Sequence, residues 1–193
     1  MPYILALVTF ALCIFVYTCA SWTIRNPETP VWPPRNWSWT ARIITWSVTI
    51  AAIGSAYQAG MTSWNEWNLP GWLRWGVGFP ICFTISTLSS VAIVQMGLDQ
   101  AMGANNALKT DKLFAWSRNP TYVGNIGLCF GFVILAASTP ALIAAASLAV
   151  LYVAVIPLEE KWLEHTYGDE YRTYKSQTPR WFSVGKQTAV SKA

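Results

Sequence analysis

Apolar residues occupy long uncharged blocks along this chain, with the charges gathered between them. Met1 to Ile24 carries no Asp, Glu, Lys or Arg; neither does Ile43 to Met61, Trp75 to Leu98, or Asn119 to Leu158. A helix needs ~20 apolar residues to cross a bilayer, so the first three blocks each predict one span. The fourth is about twice that length and predicts two. Ser138-Thr139-Pro140 lies near its middle, where Pro140 opens a second helix and the small hydroxyl residues cap it. The pattern predicts a hairpin of helices at about Pro120 to Ala137 and Pro140 to Leu158. The expected fold is an all-α polytopic membrane protein with five transmembrane helices.

The connections carry different signals. Arg25 to Ala41 holds Pro27, Pro30, Pro33 and Pro34 among Trp residues, which suits an interfacial loop better than a long helix. Ser63 to Trp75 reads as a second interfacial connection, and Asp99 to Arg118 as a polar loop. Pro80 marks a kink or a late helix start. After Leu158 aromatic residues mix with charges, as in an amphipathic helix that leaves the membrane and bends near Gly168. These readings divide one integral membrane domain into a three-helix frame (1–98), a core (99–182) and a frayed tail (183–193).

Composition supports a membrane setting: 53% of the 193 residues are hydrophobic and 11% are charged, against about a quarter charged in soluble domains. Most of the 12 Trp fall near block ends, where an indole sits in lipid and its N–H reaches the headgroups. Met1 to Ala20 lacks the basic start of a signal peptide and is expected to be a retained anchor. With five spans, all but one of the 13 Lys and Arg share a side with the C-terminal tail, Arg74 being the exception. That asymmetry predicts an outside N-terminus and a cytoplasmic tail, at the inner membrane in a bacterium. It also accounts for the net charge of +4 without nucleic-acid binding. Cys13, Cys19, Cys82 and Cys129 lie in apolar blocks without CxxC spacing, so neither a disulfide framework nor a metal site is indicated.

A hairpin returns both its ends to one membrane face, which brings together Arg118, Asn119, Tyr122, Glu159 and Glu160. Asn119 and Pro120 have the makings of an N-cap and first helical residue, leaving free N–H groups for an anion. Glu159 and Glu160 stand near the far end of the second helix, where the macrodipole disfavours negative charge. Arg118 or a cationic ligand would offset that. Gly124, Gly127 and Gly131 allow close helix approach, and Asn125 either lines an acceptor tunnel or makes an interhelical hydrogen bond. His165, the only His, reads as a solvated residue rather than a base.

The ordered set Ser117-Arg118-Asn119-Pro120-Thr121-Tyr122-Val123-Gly124, Glu159-Glu160, Tyr167-Gly168-Asp169-Glu170-Tyr171 with Tyr174, and Arg180-Trp181 resembles the integral-membrane methyltransferases related to isoprenylcysteine carboxyl methyltransferase and the phospholipid N-methyltransferases. The resemblance covers roughly 103–182. It implies S-adenosylmethionine as cofactor, held at the cytoplasmic face by Arg118, Asn119, Tyr122, Glu159 and Glu160, with backbone contacts from Leu108 and Lys109. It places Arg180 near the acceptor side, so that Glu159, Tyr122 and Arg180 are the candidate catalytic residues. Two departures stand out: Asn119 replaces the His of many relatives, and Lys112-Leu113 replaces the usual Gly-Pro.

The expected reaction is methyl transfer to a membrane lipid or lipophilic small molecule, on O, N or S, with oligomeric state open. A methyl sulfonium is already electrophilic, so placement and exclusion of water matter more than acid–base groups. The competing readings are an NADPH-dependent membrane reductase of the sterol reductase type and a non-catalytic lipid-binding protein.

Overall fold

The computed structural model describes residues 1–26, 39–101 and 107–182. Most of the Pro- and Trp-rich loop and all of the tail expected to fray lie outside the described residues. Among the described residues every regular element is helical and none is a strand. We label the long helices α1 (Pro2–Arg25), α2 (Trp39–Thr62), α3 (Gly71–Met96), α4 (Pro120–Ala136) and α5 (Thr139–Tyr167), followed by the short α6 (Asp169–Gln177).

Three helices are long and apolar enough to cross a membrane by length and composition: α1, α3 and α5. α4 is apolar but has 17 residues, about 26 Å of helix. α2 starts four residues before the expected Ile43, taking in Arg42. α5 has 29 residues, about 44 Å, and so outruns a hydrocarbon core of about 30 Å by about two and a half turns. It continues through Leu158 to Tyr167 and stops at Gly168, whose φ of 57° turns the chain into α6.

α3 shows how Pro80 is accommodated. A proline removes an N–H and crowds the carbonyl four residues back. Here Arg74–Gly78 forms a π-helical turn just ahead of it, and Pro80 falls in the first turn of the following Phe79–Met96 segment. The helix therefore begins at Gly71 and passes Pro80 as one body, so the interfacial connection expected to reach Trp75 ends earlier.

Packing follows small residues. α1 buries Ala6, Thr9, Cys13 and Ala20, spaced three, four and seven apart and hence along one face. That face meets Ala52, Ala56 and Ala59 of α2 and Ala144, Ala145 and Leu148 of α5. Thr9 and Ser55 hydroxyls bond across it at 2.8 Å. α4 lies against α3: a Cβ at Gly124 would come within 2.7 Å of the Ser89 nitrogen, and one at Gly131 within 2.7 Å of the Cys82 nitrogen. Without dissolved apolar surface to gain, such close backbone approach is what holds helices together in lipid. Asn125 accepts a hydrogen bond from Ser89 Oγ at 2.8 Å, which settles it as an interhelical contact.

The hairpin turn is fastened by the segment before α3. Ser138 caps α5, accepting from the Ala141 N–H at 3.4 Å. The carbonyls of Ala136 and Ala137 accept from the Asn65 and Trp67 N–H groups at 2.7 and 3.0 Å. Arg74, 7% exposed, donates from Nε to the Leu135 carbonyl at 3.0 Å and stacks its guanidinium 4.6 Å over the Trp64 ring. A cation belongs at a helix C-terminus. Arg74 is thus a cap on α4.

Candidate functional site at the hairpin mouth

At the opposite end the hairpin brings its two charged flanks into contact. Arg118 Nη2 donates to Glu160 Oε1 at 2.8 Å, with side-chain exposures of only 9% and 4%. Arg180, from beyond α6, donates to the same carboxylate from Nε to Oε1 at 3.0 Å and from Nη2 to Oε2 at 2.7 Å. These bonds hold the Arg180 guanidinium above its usual pKa. Arg118 Nη1 also donates to the carbonyls of Lys175 and Thr178, at 2.9 and 2.8 Å. One carboxylate therefore serves two guanidiniums, and one of these is tied to the backbone of the C-terminal segment as well.

Asn119 occupies the N-cap position with Pro120 in the first turn, but its side chain does not cap the helix. Its Nδ2 donates to the Arg180 carbonyl at 3.1 Å, to which Ser117 Oγ also donates at 3.2 Å. The Arg118 N–H donates to the Pro179 carbonyl at 3.0 Å. The expected capping oxygen is thus replaced by an amide that grips the C-terminal segment.

Glu159 precedes Glu160 by one residue and so points about 100° away around α5. It receives a 2.6 Å hydrogen bond from the Tyr122 hydroxyl, its only hydrogen-bond partner among the described residues. The Tyr122 ring lies 5.9 Å from that of Tyr152. These side chains border a cavity of about 430 Å³ that runs from the mouth to the apolar middle of the bundle. Asn119, Leu108, Lys109 and Phe114 complete its mouth; Ala52, Ile53 and Leu148 mark its depth.

The residues singled out from sequence divide accordingly. Leu108, Lys109, Asn119, Tyr122 and Glu159 face the cavity, whereas Arg118, Glu160 and Arg180 do not line it. Their ion cluster fastens the C-terminal segment beside it. Sequence reasoning did not find Gln95, which bonds the Leu113 N–H, or the hydroxyl role of Tyr174, which donates to the Phe114 carbonyl at 2.6 Å. Burial pushes the Tyr174 phenol far above its ordinary pKa, so it stays a donor. Its YxxY spacing with Tyr171 was a visible signal; Gln95, inside an apolar block, gave only its polarity. Among the described residues no cluster of His, Cys, Asp or Glu could hold a metal ion.

The α-helical bundle thus combines three helices long and apolar enough to cross a membrane with a cavity that has a carboxylate at its mouth and an apolar interior. Residues 76–170 match the phospholipid methyltransferase family model, a match consistent with an integral-membrane methyltransferase family. No curated protein and no solved structure matches the chain. The matched stretch contains Arg118 to Tyr122 and both glutamates, but stops short of Tyr174 and Arg180.

Proposed function

We propose that this protein transfers a methyl group from S-adenosylmethionine to a lipophilic acceptor at the cytoplasmic face of the membrane. The observation that carries the reading is the Tyr122–Glu159 pair, 2.6 Å apart, at the mouth of a cavity whose depth is apolar. The donor set suits the cofactor. Glu159 offers carboxylate oxygens to an ammonium or to ribose hydroxyls, and the faces of Tyr122, Tyr152, Phe114 and Trp162 surround a cation or an adenine. The cavity volume of about 430 Å³ lies within the ~300–1,000 Å³ of small-molecule sites.

When bound, S-adenosylmethionine supplies a methyl carbon already activated by its sulfonium. The protein's part is then alignment and dryness. Tyr122 holds Glu159 in one rotamer; Leu108 and Lys109 offer backbone groups; Leu148, Leu151 and Val155 line the route for an apolar tail. Asn119 borders the cavity and at the same time holds the Arg180 carbonyl. Arg118, Glu160 and Arg180 act by fixing that segment, so Arg180 is a positioning residue in this scheme.

The membrane arrangement belongs to the same proposal. All five long helices span, 1–98 frames the 99–182 core, and the N-terminus lies outside. Arg74, the exception in the charge asymmetry, is buried as a helix cap and does not weigh against this orientation.

Calorimetry of the purified chain with S-adenosylhomocysteine and NADPH tests the cofactor: binding of the first and none of the second is expected. Mass spectrometry of membranes incubated with methyl-labelled S-adenosylmethionine should find labelled lipid. Failure to bind S-adenosylhomocysteine would falsify the reading.

A further inference from the structure

The cavity wall at Leu108–Phe114 has little structure of its own. Residues 107–110 have no regular secondary structure, and only one 3-10 turn, Lys112–Ala115, follows before α4. A segment with so few internal hydrogen bonds keeps one shape only where other elements hold it. Two side chains, one from α3 and one from α6, do so. Gln95, in the last turn of α3, accepts the Leu113 N–H through Oε1 at 3.1 Å. Tyr174 of α6, itself 7% exposed, donates to the Phe114 carbonyl at 2.6 Å.

The residue just before these two bonds is strained. Lys112 has φ of 54°, in the left-handed region that a residue bearing a side chain adopts only at a cost. Such a conformation persists where its surroundings over-determine it. Gln95 holds the residue immediately after Lys112, and Tyr174 the next. Phe114, the residue that Tyr174 holds, is buried and faces the cavity with Leu108 and Lys109. Neither Gln95 nor Tyr174 lines the cavity.

We propose that Gln95 and Tyr174 are positioning residues that clamp the Leu108–Phe114 wall and thereby set how well the cavity fits its cofactor. The proposal rests on the cofactor reading above. It explains how a wall carrying Lys112-Leu113 is kept in place: the backbone is fixed by two polar side chains brought from α3 and α6.

The test uses the full chain in detergent, with Gln95→Met (similar shape, no acceptor), Gln95→Glu (acceptor kept) and Tyr174→Phe (ring kept, hydroxyl removed). Hydrogen exchange at the Leu113 amide, without ligand, should be about tenfold faster in Gln95→Met and near wild type in Gln95→Glu. Exchange across 108–115 should rise in Tyr174→Phe. Affinity for S-adenosylhomocysteine should fall about fivefold in Gln95→Met and Tyr174→Phe, and be retained in Gln95→Glu. Adding Lys112→Gly to Gln95→Met should recover part of the loss, since glycine adopts this φ freely.

Unchanged exchange in both Gln95→Met and Tyr174→Phe overturns the clamp. Faster exchange with unchanged affinity overturns its role in fitting the cofactor, and a Gln95→Glu chain as impaired as Gln95→Met does the same for the hydrogen bond. A wild-type chain that binds no S-adenosylhomocysteine overturns the cofactor reading instead, and exchange alone then supports or overturns the clamp.

Discussion

The two ends of the α4–α5 hairpin use the same vocabulary to opposite effect. At the turn, Glu66 Oε2 accepts the Thr139 N–H at 3.2 Å while Arg74 and two backbone N–H groups cover the last carbonyls of the turn. Each of these residues makes a bond across the turn, and none of them borders the cavity. At the mouth, Arg118 and Glu160 make an equally committed pair, yet the neighbouring Glu159 keeps one face toward open space. Arg and Glu at a helix end therefore say little about function by themselves. What separates a cap from a site is whether, after the structural bonds are made, polar capacity is left facing a cavity.

Substitutions can break or sharpen that contrast. The largest effect is expected for Glu160→Ala, which leaves Arg118 buried without its counter-charge; loss of one member of a buried pair costs about 3–5 kcal/mol. The variant should unfold at markedly lower temperature in detergent and expose the segment after α6 to protease. A stability near wild type would mean that the cluster is not the fastener described. Next comes Glu159→Gln, which removes the charge on the cavity side. Binding of S-adenosylhomocysteine should weaken about 10- to 100-fold, the loss of a hydrogen bond to a charged group, with little change in melting temperature. Equal affinity in a calorimetric titration would move the cofactor elsewhere.

Arg74→Met at the closed end should do the reverse. It removes one cap and a cation–π contact, lowering stability by about 1–2 kcal/mol, while affinity stays as in the wild type. A shift in affinity would couple the two ends. The smallest effect is expected for Tyr122→Phe, which keeps the ring beside Tyr152 and loses only the bond to Glu159; Tyr122→Ala should be worse, because ring area contributes more than the hydroxyl. If turnover assays rank them the other way, Tyr122 handles a proton.

Much of this was legible in the chain. Uncharged blocks located the long helices, and Ser138-Pro140 located the turn, because burial in lipid forbids charge and a hairpin needs a cap and a start. That Arg118 would come to the glutamates at the far end of the hairpin followed from its geometry, and it pairs with Glu160. The direction in which each glutamate points did not: two adjacent helical residues diverge by about 100°, and only the packing of α6 decides which of them faces the ion cluster. Nor could the sequence foresee that Asn119 would abandon its capping role, because its partner, the Arg180 carbonyl, is a backbone group some 60 residues away whose type leaves no mark. Pro80 was ambiguous because a π turn is a conformational answer with no compositional signature.

The attachment of Thr178–Arg180 to the start of α4 has a consequence for biogenesis. The stretch that braces the start of α4 leaves the ribosome after every long helix has been made, so a nascent chain with its long helices complete still lacks its final brace. The hydrogen bonds that tie this segment to Ser117, Arg118 and Asn119 therefore form last, once synthesis has passed Arg180.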